Sequence, residues 1–239
     1  MTAGLAKCAE CSIRHRGLCS VLTADQLKKL GAISRRQVIS AGRAIFRDGD
    51  ETLAFANIVS GVVKLTKVTT NGQEHIIALL HPPDFLGQTF SEKHRFSAVA
   101  ATDVVLCTYP KGPFLKLLAE YPQLEHYLFE CTVRELDVCR EWTLMQRRKS
   151  SSARVASFLL MIARRARDVG CEEQPPNVAR FQLPLSRQDM ADYLGLTMET
   201  VSRQLGGLKR DGVIRLETVR DVVVPDLGRL SRVAEMEEV

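Results

Sequence analysis

The chain has 239 residues, 45% hydrophobic and 26% charged, which supports one large or two ordinary folded domains and excludes a disordered chain. Its formal charge of +5 permits a polyanionic partner without demanding one. No apolar run approaches the ~20 residues of a membrane span, and Met1 to Cys8 carries no apolar core of a secretion signal, so a cytoplasmic chain with reduced thiols and no membrane partner is expected.

Three of the seven cysteines, Cys8, Cys11 and Cys19, crowd the start of the chain, while Cys107, Cys131, Cys139 and Cys171 are scattered. An odd total argues against a disulfide framework. Lys7, Arg14, His15 and Arg16 surround the crowded three, and positive neighbours favour thiolates. Soft thiolates suit an iron–sulfur cluster or zinc, either of which wants a fourth ligand.

Beyond this arm, Thr23 to Leu30 reads as a short helix with Thr23 as cap and Gln26 completing a capping box. From about Arg36 to Pro110 short β-like runs alternate with turn residues, Asn71-Gly72 being a hairpin signal, and the spacing predicts a small barrel or sandwich. From Pro113 to Arg148 there is no internal glycine, and Pro122 is the one residue able to kink a long helix. Leu124, Leu128, Cys131, Val138, Trp142 and Met145 follow a heptad seam interrupted by Glu135; Phe129, Val133, Leu136 and Leu144 make a second apolar face. One face should pack on the chain itself and the other on a partner, and the heptad seam, Glu135 included, is assigned to a homodimer. Cys131, Cys139 and Cys171 are read as incidental. Lys149 to Ser152 reads as a hinge, a helix begins near Ser151, and Gly170 to Pro176 reads as a loop.

Ser186 to Asp189 is a capping-box-like start, Met190, Ala191 and Leu194 give a short helix its apolar face, and Gly195 can end it in the left-handed conformation. Leu196 fills the turn and Thr197 caps the next helix, the order and spacing of a helix-turn-helix. On that second helix Val201, Leu205 and Leu208 fall on one side, and Glu199, Ser202 and Arg203 on the other near its N-terminus, where base edges are read. Arg can bond guanine O6 and N7, Glu can accept from cytosine N4, and Ser can contact several edges. Ser186, Arg187, Thr197 and Thr200, at the two helix starts, join them as candidates for contact with double-stranded DNA. Val213 to Leu216 and Asp221 to Val224 read as the strands of a wing. His75, His81, His94 and His126 lie apart with no nucleophile motif, so no enzyme is read.

The run Leu185 to Leu196 followed by Thr197-Met198-Glu199-Thr200-Val201-Ser202-Arg203 resembles the DNA-binding signature of the Crp/Fnr regulators. The resemblance spans nearly the whole chain and implies an α+β fold with domains at 1–20 (cysteine arm), 21–110 (a β-roll, the jelly roll of cyclic-nucleotide-binding domains), 111–149 (dimerisation helix) and 150–239 (winged helix-turn-helix). Glu-x-x-Ser-Arg is similar to the Fnr branch, which implies a homodimer on TTGAT-N4-ATCAA-like palindromes, contact with RNA polymerase, and a [4Fe-4S] cluster that answers to oxygen. Cys107 resembles that branch's internal cluster cysteine, so Cys8, Cys11, Cys19 and Cys107 are the implied ligands. Cyclic-nucleotide members resemble Gly-Glu-Leu followed by Arg-Ser or Arg-Thr; here Leu86-Gly87-Gln88-Thr89 replaces the acid and Arg95 is one position displaced, so no nucleotide is expected. Cyclic nucleotide, nitric oxide, or zinc and thiol redox remain the alternative signals.

Overall fold

A computed structural model describes residue 8 and residues 11–148, 150–169, 175 and 177–235, without the side chains of 145–148 and 168–169. Lys149, Cys171, most of the expected loop 170–176 and the side chain of Met145 thus lie outside the described residues. The chain divides into two compact units, Met1–Asp137 and Val138–Val239.

In the first unit a 3-10 turn, Leu18–Val21, leads into α1 (Ala24–Ile33). The expected capping box is present: Gln26 N–H donates to the Thr23 hydroxyl and Thr23 N–H to Gln26 Oε1. Eight strands follow: β1 (Arg35–Ile39), β2 (Ala44–Phe46), β3 (Ala54–Ser60), β4 (Val63–Val68), β5 (Glu74–Leu80), β6 (Phe85–Leu86), β7 (Ser97–Ala100) and β8 (Val104–Pro110). They form two antiparallel sheets of order β1-β8-β3-β6 and β2-β7-β4-β5. Asn71-Gly72 lies in the β4–β5 turn, closed by Thr69 N–H to the Gln73 carbonyl at 2.8 Å. Ile58, Val104 and Leu106 of one sheet meet Val63, Leu65, Ala98 and Ala100 of the other in a shared core. Each large aliphatic side chain so buried contributes about 1.5–3 kcal/mol. At Gly61, φ is +84°, and a Cβ would stand 2.2 Å from the Asp103 carbonyl oxygen, so the β3–β4 turn closes only on glycine.

The long helix expected from Pro113 is two helices, α2 (Lys111–Glu120) and α3 (Pro122–Arg148), broken at Tyr121. A proline disfavours helical backbone in the residue before it and suits the first position of a new helix, so Pro122 separates rather than kinks. A second core gathers Leu18, Leu30, Phe55, Tyr109, Phe114, Leu117, Leu124 and Leu128, fastening the arm's turn, α1, α2 and the start of α3 onto the β1-β8-β3-β6 sheet.

The second unit contains α4 (Ser151–Val169), β9 (Ala179–Gln182), α5 (Arg187–Leu194), α6 (Met198–Arg210), β10 (Arg215–Leu216), β11 (Asp221–Val224) and α7 (Leu227–Ala234). Its antiparallel sheet has the order β10-β11-β9. Only Arg215 and Leu216 of the expected run from Val213 are strand, because Val213 and Ile214 are buried and their N–H groups turn back to the Leu208 carbonyl.

Candidate functional site

The two helices expected to read DNA form by local capping. Ser186 accepts from Asp189 N–H at 3.0 Å, starting α5. Gly195, at φ 63° and ψ 41°, ends it: Gly195 N–H reaches the Asp192 carbonyl and Leu196 N–H the Ala191 carbonyl, a Schellman closure. Thr197 then caps α6, accepting from Thr200 N–H at 3.2 Å. Val201, Leu205 and Leu208 are buried, and Glu199, Ser202 and Arg203 lie exposed together on the opposite side. A cation and a carboxylate sit in the first turns of a helix that burial fixes firmly, an arrangement able to bond base edges.

The other four candidates have structural engagements. Ser186 and Thr197 are the caps themselves. The Thr200 hydroxyl accepts from Thr197 at 3.0 Å and from Arg203 at 3.4 Å, holding the Arg203 side chain against its own helix. Arg187 is half-buried and donates to the Val219 carbonyl at 3.0 Å, tying α5 to the wing turn. Sequence reasoning found the wing strands but not the wing's exposed cations, Arg215 on β10 and Arg220 in the turn before β11, which are suited to phosphate. The β-strand pattern had drawn attention to their apolar neighbours instead.

In the first unit the arm and the sheet bring together the four expected thiols. Cys107 lies on β8 between Arg36 of β1 and Asn57 of β3, and with Cys19 it packs against the second core. Every pair among Cys8, Cys11, Cys19 and Cys107 is in electrostatic contact. Cys8 Sγ faces Gly31 of α1, where a Cβ would stand 3.4 Å away. Tyr109 and Ser34 hydrogen-bond with Cys107. Burial, reinforced by the neighbouring sulfurs, pushes the Cys19 thiol up to about 12 and raises Cys8 and Cys107. The expected thiolate bias from cationic neighbours is thus outweighed: Arg14 pulls Cys8 and Cys19 down, and burial wins. Among the described residues no three His, Cys, Asp or Glu side chains are grouped to hold one metal ion. The donor set fits a polynuclear cluster, which presents a separate iron to each thiolate and lets the sulfurs stand apart.

On α3 part of the expected dimer seam is covered by the chain itself. Leu124 and Leu128 are buried in the first unit's own core, and Cys131 is half-buried. In the second unit Trp142 stacks on Tyr193, ring centroids 4.2 Å apart. Phe129, Val133 and Leu136 of α3, with exposures of 65%, 42% and 49%, face outward in the first unit, as Val138 and Leu144 of the same helix do in the second. Of the expected seam, Glu135 and Val138 remain exposed. Periodicity located both faces correctly, but Phe114 and Leu117 of α2 decide which one the chain covers itself.

Next to Arg95, the cation expected to be displaced from a nucleotide-binding pattern, His94 is buried and lies flat on Phe46, centroids 3.5 Å apart. The Gln88 side-chain oxygen is buried without a hydrogen-bond partner among the described residues.

Residues 36–121 match the cyclic nucleotide-binding domain and residues 153–233 the Crp-like helix-turn-helix domain. The chain is 41% identical over 225 residues to a probable transcriptional activator of Rhizobium leguminosarum bv. viciae, covering 94% of this chain and 92% of that one. It is 39% identical over 226 residues to the transcriptional activator protein FnrL of Cereibacter sphaeroides, covering 95% and 91%. Among solved structures it is similar to FixK2 from Bradyrhizobium japonicum, with a TM-score of 0.74, 27% identity, and coverage of 85% of this chain and 98% of that one. No helix of the described residues is long and apolar enough to cross a membrane. On this likeness in sequence, in both domains and in fold, the chain belongs to the Crp/Fnr family of transcription regulators and is not an enzyme.

Proposed function

We propose that this regulator is an oxygen-responsive switch that binds a palindrome of TTGAT-N4-ATCAA type as a homodimer. The observation that carries this reading is the meeting of Cys8, Cys11 and Cys19 with Cys107, four sulfurs from an arm and a strand far apart in sequence, all in mutual electrostatic contact. These four residues would hold a [4Fe-4S] cluster, whose loss in oxygen supplies the signal. The arm has too little apolar surface to order itself, so ligation would add to what Leu18 contributes by burial. Phe129, Val133 and Leu136 of α3 form the face that a second copy would cover. Glu199, Ser202 and Arg203 of each copy would read one half-site, and Arg215 and Arg220 of the wing would meet phosphates.

Anaerobic purification followed by iron and sulfide assay, sedimentation, and gel shift on the palindromic duplex tests the reading. Iron with sulfide, a dimer and a shifted duplex are expected, with dimer and shift both lost after air. A colourless protein holding zinc alone would overturn the oxygen switch and leave the DNA-reading unit standing.

A further inference from the structure

The arm's backbone between Cys11 and Cys19 is a run of turns: Arg14 N–H donates to the Cys11 carbonyl, Gly17 N–H to that of Ile13, and Ser20 N–H to that of Gly17. Within this run the Arg16 carbonyl accepts a hydrogen bond from α3, from the Tyr127 hydroxyl at 3.2 Å. Tyr127 is half-buried, packed against the core that contains Leu18, Leu124 and Leu128. Its ring lies under the Arg134 guanidinium, 5.8 Å from the centroid, and that guanidinium donates to Cys131 Sγ at 3.1 Å and pairs with Glu130 at 3.7 Å. One phenol therefore joins the ligand-bearing arm to a connected set of side chains, Glu130, Cys131 and Arg134, that runs alongside the outward-facing Val133 and Leu136.

We propose that Tyr127 is the positioning residue through which the state of the cysteine arm is transmitted to the dimerisation face of α3. The inference rests on the cluster reading above. An arm fixed at Cys11 and Cys19 holds the Arg16 carbonyl under the phenol and so holds the 127–136 stretch of α3. An arm whose cysteines are released moves that carbonyl, and the hydroxyl is left with the Cys131 thiol as its remaining partner. Two conditions must hold for such a coupling: the contact is made in one arm state, and it is weak or absent in the other. Leu18 cannot play this part alone, because a fully buried apolar contact has no directional partner to lose.

The test compares the dimer dissociation constant of the full chain before and after removal of iron by a chelator, for the parent and for Tyr127→Phe. Iron and sulfide are assayed first in both. The phenol-to-phenyl change should weaken dimerisation of the iron-loaded protein by about 25-fold, the worth of one neutral hydrogen bond in each of the two copies, while leaving the iron-free constant unchanged. By reciprocity the variant dimer should surrender iron to the chelator more readily than the parent dimer. Cys131→Ala should leave the difference intact. Equal weakening in both iron states would reduce Tyr127 to a packing residue and overturn the proposal with the cluster reading still standing. The same failure follows if Cys131→Ala reproduces the phenyl variant, for then the hydroxyl acts through the thiol and not the arm. Parent protein without iron or sulfide overturns both readings together.

Discussion

His94 illustrates how burial sets the chemistry of single residues here. Its imidazole is 4% exposed and stacked on Phe46, its backbone N–H donates to the Asp50 carbonyl, and Nδ1 has no hydrogen-bond partner among the described residues. Desolvation holds its pKa below the ordinary histidine value; Lys111 pushes the same way and Asp50 opposes them. The native state therefore prefers the neutral ring, and the unfolded chain takes up the proton first. The stability contributed by the buried neutral ring is complete above the unfolded value of about 6.5 and is lost as pH falls through the lower folded value. Melting temperature should drop between about pH 7.5 and pH 5.5, and His94→Phe, which keeps an aromatic ring on Phe46, should drop less. Parallel pH profiles for the two proteins would mean that His94 does not carry this dependence. The thiols at Cys19 and Cys107 obey the same physics, which is why their cationic neighbours misled the reading of the arm: charge is visible in sequence, whereas depth of burial is created by the fold.

Among the elements, α3 separates what periodicity can say from what it cannot. Spacing of 3.6 residues per turn identifies two apolar faces, yet both satisfy the same rule, and α2 covers one of them only because Pro122 breaks the helix and lets Phe114 and Leu117 fold back onto Leu124 and Leu128. The burial of Leu128 on one face and the exposure of Leu136 on the other have distinct consequences for substitution. Leu128→Ala should lower the unfolding free energy by about 2–5 kcal/mol, measured by denaturant titration, since it empties a packed site. Leu136→Glu should leave that free energy nearly unchanged and instead shift the sedimentation profile toward monomer, because a charge on an exposed face costs little until a partner covers it. If Leu136→Glu unfolds the protein while Leu128→Ala only dissociates it, the original assignment of the faces is right. By contrast α5 and α6 were legible almost residue by residue, because Ser186, Gly195 and Thr197 act through hydrogen bonds within a few positions. β9, four residues long, left no comparable local signal and is defined by its pairing with β11, whereas α7 carried one that the reading passed over, the Asp226 cap that accepts from Gly228 and Arg229 N–H.

On the proposed function, the first unit sets how many copies meet the operator, and the second sets what each copy reads. Two half-sites engaged by one dimer raise affinity through effective concentration, so a duplex with one half-site scrambled should bind far more weakly than the palindrome. Binding to phosphates releases counterions and binding to base edges does not, which lets the two kinds of contact be told apart by salt. Arg203 is exposed on the reading side of α6, and Arg220 is exposed on the turn that Arg187 fastens to α5. Arg203→Ala should cost about 1–3 kcal/mol per half-site on the cognate palindrome, little on random duplex, and leave the slope of log affinity against log salt unchanged. Arg220→Ala should weaken cognate and random duplex alike and reduce that slope by about two, because each dimer presents the residue twice and each phosphate contact contributes roughly 0.9. Fluorescence anisotropy across a salt series measures both. A reduced slope for Arg203→Ala with undiminished discrimination would place that guanidinium on the backbone and leave Glu199 and Ser202 to carry the sequence.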